Sequence, residues 1–257
     1  MLGEVEVSLT DVELERIEKK YLDQLYHHLK SREEALMDGL HTKDKIRDDW
    51  IKQYQAGGKA TDLDRGAERI FYWLIAAIPE WTPNSAPVGS NLLFETRDAF
   101  LHIEIKTSRI DNHGDYRGLV PISIRQTSYP ITRIDKPPEL PTYYNEGKES
   151  EKPSLTYAIQ IVHNPETLEI IAILLISIPN GQLYGLYGDD IIGAGKIKGH
   201  SLRYRYKAKP QFEALPDKDY RVIVFYFNES SGHRETDITT IDLTKGKQLR
   251  LNRGTFF

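Results

Sequence analysis

The 257-residue sequence contains no cysteine, which excludes disulfide bonds, zinc sites built on thiolates and cysteine nucleophiles. Any bound metal ion must therefore be held by oxygen atoms or imidazole rings. The longest apolar run, residues 170–178, is far too short to cross a bilayer. The N-terminus also lacks the basic start and the apolar core of a signal peptide. We expect a soluble intracellular protein.

The sequence also lacks an excess of positive charge. Its 38 acidic residues exceed its 34 lysines and arginines, and the net charge is -4 at pH 7. This balance argues against nonspecific binding of polyanions over the whole surface, because such binding depends on many cations that neutralise phosphates. The cations are concentrated in residues 196–221, where eight lysines and arginines stand against three acidic residues. The sequence predicts a basic face on an acidic protein.

The order of the residue patterns predicts the architecture. The first third is helical: Thr10 and Glu13 form a capping-box pattern, and apolar residues recur at near-helical spacing up to residue 74, including residues 48–54. From Ser90 onward the period changes to that of strands, at residues 91–96, 99–107, 157–162, 169–178 and 221–228.

We therefore predict one α/β (α+β) domain over residues 1–257, with a mixed central β-sheet flanked by helices. Residues 1–80 form its mainly helical portion, residues 87–130 carry a hairpin, and residues 154–257 form a strand-rich portion. Residues 131–153 are rich in proline and charge without a sustained period, and we predict a long polar loop there.

The predicted hairpin carries the residues of greatest chemical interest. Its two runs are separated by Arg97 and Asp98, and the second run contains Glu104 and Lys106 one residue apart, which puts both side chains on one face of a strand. A carboxylate and an ammonium group at the end of a core strand would place a hard cation and a water-orienting charge beside one phosphate. Metal-assisted phosphodiester hydrolysis requires this pairing. The alternative is an ordinary ion pair on an exposed strand.

The segment from Pro87 to Ser108, PVGSNLLFETRDAFLHIEIKTS, resembles the PD-(D/E)xK nuclease motif, whose best-known members are type II restriction endonucleases. The resemblance covers roughly residues 60–130. It implies a restriction-endonuclease-like fold and Mg²⁺-dependent hydrolysis of double-stranded DNA that leaves a 5′-phosphate and a 3′-hydroxyl. It also implies a restriction–modification role in a prokaryotic cytoplasm.

The resemblance further assigns roles to individual residues. It implies that Glu104, residue 91 and the carbonyl of Ile105 hold Mg²⁺, and that Lys106 orients or helps to deprotonate the attacking water. Glu68, in the preceding helix, would support the metal site or hold a second ion. An equally open reading makes Glu68 a surface charge paired with Arg65 or Arg69.

One position departs from the family pattern. Where the family carries its first aspartate, this sequence has Asn91, whose amide offers an oxygen without a negative charge. Three explanations are open: a deliberate replacement that traps uncleaved DNA, natural drift of the site, or a charge supplied by Glu95 or Asp98. We favour the first, because Asp98 lies in the hairpin turn and should point to solvent, while Glu95 only shares the two-residue phase of Asn91.

We expect several residues to contact double-stranded DNA, either just after the motif or in the basic stretch: Ser108, Arg109, Asn112, His113, Arg125, Gln126, Ser128, Tyr129, Arg203, Arg205 and Lys207. The alternating cations and tyrosines of residues 203–207 also fit a solvated edge strand guarded by charge, and residues 126–129 also fit a plain turn.

The expected assembly is a homodimer, because two-fold symmetric DNA sites are most simply recognised by two-fold symmetric proteins. Two other functions stay open. One is a repair or junction-resolving nuclease that recognises the shape of DNA. The other is a noncatalytic DNA-binding module descended from a nuclease, which the asparagine at position 91 motivates.

Overall fold

A computed structural model describes residues 9–45, 63–85, 89–132 and 136–243. Its N-terminal part consists of helices α1 (Asp11–Lys30), α2 (Glu33–Lys45) and α3 (Leu63–Ile75). The predicted capping box is confirmed, since the Thr10 hydroxyl accepts from the Glu13 N–H at 3.3 Å and the Glu13 carboxylate accepts from the Thr10 N–H at 2.8 Å. The helical pattern at residues 48–54 lies outside the described residues.

The C-terminal part is built mostly of strands, as the change of period predicts. The strands are β1 (Thr82–Pro83), β2 (Leu92–Glu95), β3 (Phe100–Arg109), β4 (Val120–Ser123), β5 (Tyr143–Tyr144), β6 (Lys152–His163), β7 (Ile170–Ile178), β8 (Ile192–Ala194), β9 (Ser201–Tyr204) and β10 (Val222–Phe227). Two short helices follow in this part, α4 (Tyr184–Tyr187) and α5 (Glu235–Thr239). The described helices include none that is long and apolar enough to cross a membrane.

The strands form a large mixed sheet and a small antiparallel one. The large sheet has the order β1-β2-β3-β6-β7-β10, with β5 paired to the start of β6, and its β3–β6 pair is parallel while the others are antiparallel. The small sheet has the order β4-β9-β8. Helices α1 and α3 contact the large sheet, and α2 packs on α3. The predicted mixed sheet flanked by helices is confirmed.

The hairpin of β2 and β3 has the predicted register and lies inside the large sheet. Leu92 pairs with Ile103 and Glu95 with Phe100, and the Thr96 N–H donates to the Ala99 carbonyl at 2.9 Å to close the turn. Because β6 covers the other edge of β3, the strand with Glu104 is an interior strand.

Two strand predictions differ from the structure. Strand β6 starts at Lys152 rather than at residue 157, and its first residues pair with β5, so the region of residues 131–153 contains a short strand pair within its loop. The early residues of β6 include Pro153, a residue type that is rare in strands, and its pairing with Tyr143 of β5 extends β6 over this position. Strand β9 ends at Tyr204 and is the central strand of the small sheet, while residues 205–207 lie beyond it, so residues 203–207 do not form an edge strand.

A buried ion cluster joins α1 to the large sheet. The Arg221 Nη2 atom lies 2.9 Å from Glu15 Oε1 and 2.6 Å from Glu18 Oε2, and all three side chains are buried. The Arg221 Nε–H also donates to the Tyr187 hydroxyl at 2.6 Å. Arg221 therefore belongs to the core and not to the basic face to which the sequence assigned it, because two carboxylates from α1 neutralise its charge.

Candidate active site

Strand β3 presents Glu104 and Lys106 side by side on one face. The Lys106 Nζ atom lies 3.0 Å from Glu104 Oε2, with Glu104 fully buried and Lys106 half-buried. Ile103 and Ile105 alternate with this pair and are buried in the core. An ion pair on an exposed strand does not describe this arrangement, since the strand is interior and the carboxylate is inaccessible to bulk solvent.

The environment of Glu104 leaves its carboxylate short of partners. Burial raises the pKa of Glu104 to about 6, and the charge and hydrogen bond of Lys106 oppose that increase only in part. Apart from the ion pair with Lys106, Oε2 has no hydrogen-bond partner among the described residues. The group is ionised at neutral pH and has an oxygen free to accept a ligand.

Asn91 and Glu68 complete the group. The Asn91 backbone N–H donates to Glu104 Oε1 at 3.2 Å, and its Oδ1 accepts from the Ile105 N–H at 2.8 Å. The Asn91 Nδ2 atom donates to Glu68 Oε1 at 2.6 Å, which ties the hairpin to α3. Thus the structure brings Asn91, Glu104, Lys106 and Glu68 together.

A glycine shapes the corner before Asn91. Gly89 has a φ of 75°, and a Cβ atom there would lie 2.4 Å from the carbonyl oxygen of Arg125. The Gln126 side chain donates from Nε2 to the Gly89 carbonyl at 3.2 Å. The segment that carries Arg125 and Gln126 therefore supports the corner of the site, and no larger residue fits at position 89.

Sequence reasoning missed a hydrogen-bonded chain next to the site. His102 lies on the same face of β3 as Glu104 and is fully buried, and its Nδ1 and Nε2 lie 3.2 Å from Ser90 Oγ and 3.1 Å from Tyr144 Oη. The Ser90 hydroxyl donates to the Leu92 carbonyl at 3.1 Å. The available signal was the two-residue phase that His102 shares with Glu104.

The two residues suggested as substitutes for an aspartate lie at the other end of the hairpin. The Glu95 carboxylate accepts from Lys152 Nζ at 2.7 Å, and Asp98 is bound by Lys20 Nζ at 2.7 Å and by the Tyr21 hydroxyl. Asp98 is half-buried and not free in solvent as we expected, because Lys20 and Tyr21 of α1 bind it. Neither carboxylate supplies the charge that is missing at position 91.

Comparison with protein families supplies the identification. Residues 10–167 match the model described as type II restriction enzyme MwoI, N-terminal domain. The chain belongs to the MwoI family of type II restriction enzymes. Residues 170–227 match the central domain of the same family. The predicted membership of the restriction endonucleases is confirmed, and the protein is a DNA endonuclease, a hydrolase.

Solved structures of restriction endonucleases share the fold. The chain is similar to BglI bound to its DNA recognition sequence, with a TM-score of 0.63, 14% identity, and coverage of 83% of this chain and 90% of that one. It is also similar to tetrameric SfiI bound to cognate DNA, with a TM-score of 0.59, 14% identity and 90% coverage of each chain. A comparison with curated protein sequences gave no match.

The residues expected to contact DNA in this MwoI-family chain divide by exposure. Exposed side chains are those of Arg109, His113, Arg125 and Lys207, while Asn112, Gln126, Arg203 and Arg205 are half-buried. Three others are buried and bonded within the protein: the Ser108 hydroxyl donates to the Asp115 carbonyl, Ser128 Oγ accepts from the Gly181 N–H, and the Tyr129 hydroxyl donates to the Gly188 carbonyl. These three side chains are not available to DNA in this conformation.

Arg203 is bound on several sides despite its place in the basic stretch. Its guanidinium donates to the carbonyls of Gly114 at 2.5 Å and Ala194 at 2.7 Å, and it lies 3.2 Å from Asp115 Oδ1. Lys196 binds the same carboxylate. These two cations share one carboxylate and connect the small sheet to the segment that follows β3.

Restriction endonucleases of this kind generally use a divalent metal ion, and the oxygen donors of the site fit one. Glu68 and Glu104 supply carboxylates and Asn91 an amide oxygen, and Glu104 Oε2 is a buried acceptor that pairs with Lys106. A hard dication prefers oxygen ligands of this kind. The described ranges contain no cluster of three or more acidic or histidine side chains placed to hold a metal. The site therefore carries less negative charge than a site with three carboxylates.

Proposed function

We propose that the chain is a sequence-specific type II restriction endonuclease that uses Mg²⁺ to hydrolyse double-stranded DNA and leaves a 5′-phosphate and a 3′-hydroxyl. The observation that carries this proposal is the Glu104–Lys106 pair, 3.0 Å apart on an interior strand, with one carboxylate oxygen otherwise without a partner among the residues that the structure describes. Membership of the restriction-enzyme family indicates DNA as the substrate, and the Glu104–Lys106 pair provides the catalytic groups.

Each residue has a definite task in this proposal. Glu104, the carbonyl of Ile105 and the Asn91 amide oxygen would hold Mg²⁺, with Glu68 beside them as a supporting residue or a ligand of a second ion. When bound, Mg²⁺ would polarise the scissile phosphate and favour ionisation of the attacking water. Lys106 would orient that water and balance negative charge that develops on the phosphate.

The asparagine at position 91 lowers the negative charge of the metal site and should weaken Mg²⁺ binding. We therefore expect the change Asn91→Asp to increase cleavage strongly, by about 100-fold, which is the scale that a single ligand or its support contributes. The explanation we favour for Asn91 is still the deliberate replacement of an aspartate by asparagine. Glu95 and Asp98 are bound elsewhere and do not compensate.

The decisive experiment is digestion of a sequenced plasmid by the parent chain and by the Asn91→Asp variant in Mg²⁺, with mapping of the ends. Glu104→Gln in each background is the matched control and should abolish cleavage. Discrete fragments with 5′-phosphates support the proposal, while equal rates for the parent and the Asn91→Asp variant contradict the role given to Asn91.

The same assay separates the alternatives. Cleavage of branched DNA without cleavage of plasmid would favour a junction-resolving or repair nuclease. Duplex binding without cleavage, even with aspartate at position 91, would favour a noncatalytic DNA-binding module. Substitution of the exposed Arg125 or Lys207 should weaken duplex binding if these residues contact phosphates, and the effect should diminish as salt is raised.

We also propose a homodimer and a single domain. The large sheet supports the single domain, because β2, β3 and β6 come from the segment matched by the N-terminal family model while β7 and β10 come from the segment matched by the central model. Light scattering tests the dimer, and one cooperative unfolding transition tests the single domain.

A further inference from the structure

The Asn91 side chain links the elements that meet at the site. Its Nδ2 atom donates to Glu68 Oε1 on α3 at 2.6 Å, and its Oδ1 atom accepts from the Ile105 N–H on β3 at 2.8 Å. Exchange of the amide oxygen and nitrogen would set an NH₂ group against an N–H donor and an oxygen against a carboxylate. Both neighbours therefore fix the orientation of the amide.

The amide N–H₂ lies where negative charges converge. The Asn91 backbone N–H reaches Glu104 Oε1 at 3.2 Å, so the carboxylates of Glu68 and Glu104 are both bonded to this one residue. The charge of Glu68 acts on Glu104 and disfavours its ionisation, in addition to the larger effect of burial, which together raise the pKa of Glu104. A carboxylate at position 91 would replace the bond to Glu68 with a contact between like charges.

We infer that the Asn91 amide substitutes for a cation in the metal-free protein, by holding Glu68 and the hairpin together in the arrangement that would otherwise need a dication. This inference rests on the proposed function only in taking Glu104 and residue 91 as metal-binding residues. It follows that a dication adds little to the stability of the parent chain, since the amide already holds Glu68 and brings no negative charge of its own for the ion to neutralise. A carboxylate at position 91 makes the stability depend on the ion, which binds the folded state and offsets the repulsion.

Thermal unfolding with and without metal tests this inference. The melting temperatures of the parent chain, of Asn91→Asp and of Asn91→Asp/Glu68→Gln are measured in EDTA, in Mg²⁺ and in Ca²⁺. We expect the parent to shift by less than about 1 °C on addition of metal. We expect Asn91→Asp to lose about 3–6 °C in EDTA, the scale of one lost hydrogen bond to a charged group, and to regain most of it in either metal.

The double variant tests the bond itself. A glutamine at position 68 can donate an N–H to an aspartate at position 91, so the hydrogen bond is restored with its polarity reversed. We therefore expect the double variant to recover in EDTA and to gain less than Asn91→Asp on addition of metal, which Glu104 and the aspartate can still bind.

The matched control is Asn228→Asp. The Asn228 Nδ2 atom donates to Glu169 Oε1 at 2.7 Å, the same amide-to-carboxylate bond outside the site. Any loss of stability in that variant should not be recovered in Mg²⁺. A response of the control equal to that of Asn91→Asp would mean that the metal acts on surface charge in general, and the inference would be overturned.

Two further results would overturn it: an Asn91→Asp protein as stable in EDTA as the parent, or a parent stabilised by Mg²⁺ as strongly as the variant. The proposed function fails separately. An Asn91→Asp protein that melts as expected but cleaves no DNA would contradict only the proposed function. Cleavage together with an unchanged melting temperature in EDTA would contradict only this inference.

Discussion

Buried carboxylates lie against the large sheet in two different hydrogen-bonding environments. Around Arg221, the Glu15 oxygens accept from Arg221, the Tyr187 hydroxyl and three backbone N–H groups at residues 213–215. Glu18 accepts from Arg221 and from the Asn180 N–H. In the hairpin, Glu104 Oε1 accepts one backbone N–H, and Oε2 has only the ion pair with Lys106 within the described part of the chain.

This difference separates a structural cluster from a site. Buried charges that are fully hydrogen-bonded hold elements in register, and removing one partner leaves an uncompensated charge. A buried carboxylate with an unused oxygen costs stability but keeps the acceptor that a ligand needs. The four predictions below test this contrast, from the largest expected effect to the smallest.

The largest effect is expected on the rate of cleavage. Lys106→Ala should lower single-turnover cleavage by about 10³-fold, because the water and the developing charge lose their positioned ammonium group. The assay uses the Asn91→Asp form to raise the measured signal. Lys152→Ala, which breaks the ion pair with Glu95 at the far end of the same hairpin, is the control and should change the rate little. Equal losses for both variants would remove the special role of Lys106.

The second effect concerns the structural cluster. Arg221→Met should reduce the free energy of unfolding by about 3–5 kcal/mol, because Glu15 and Glu18 stay buried without their counter-charge. Urea unfolding measures it. Arg109→Met removes an exposed pair with Asp111 and should change the free energy of unfolding far less, because solvent screens that pair. A small loss for Arg221→Met would show that the cluster relaxes or admits water.

The third effect has the opposite sign. The pKa of Glu104 is raised from its ordinary 4.5 to about 6 by burial, so the folded state binds the proton more tightly and ionisation costs about 2 kcal/mol above that pH. Glu104→Gln should therefore be more stable than the parent at pH 8 by up to about that amount. The advantage should shrink as pH falls through 6 and vanish below about 4.5, as urea unfolding across pH would report. A less stable variant at pH 8 would contradict it.

The smallest effect concerns the chain of Ser90, His102 and Tyr144. Burial lowers the pKa of His102 to about 4, so the ring is neutral near pH 7. The Ser90 hydroxyl donates to the Leu92 carbonyl, hence it accepts from His102 Nδ1–H, and His102 Nε2 accepts from the Tyr144 hydroxyl.

Tyr144→Phe leaves Nε2 without its donor and should cost about 1 kcal/mol of unfolding free energy, with about a fivefold loss in cleavage rate because Ser90 adjoins Asn91. The matched control for the rate is Tyr143→Phe. The Tyr143 hydroxyl donates to Gln182 Oε1 at 2.6 Å, apart from the hydrogen bonds of Ser90, His102 and Tyr144. Equal losses of cleavage rate in both variants would show that the effect comes from destabilisation of β5.

The hairpin was predictable because its signals are local. The two-residue period placed Glu104 beside Lys106, and Arg97 with Asp98 marked the turn, so the register followed from neighbours in sequence. The small sheet was not predictable, since β4, β8 and β9 have only three or four residues each, too few for a period to be recognised. The DNA-contact predictions at the end of β3 and beyond it include both exposed and buried residues. The exposure of Ser108, Ser128 and Tyr129 could not be predicted, because it depends on distant segments that cover them.

The sequence by itself determined the helical and strand-built portions, the hairpin, and the pairing of a carboxylate with an ammonium group on one strand face, because each depends on periodicity over a few residues. Only the tertiary structure decided that Arg221 is a core residue, that His102 joins the hairpin to β5, and that the Asn91 amide binds Glu68 on α3. Burial and hydrogen-bond partners come from residues far apart along the chain, and no local pattern records them.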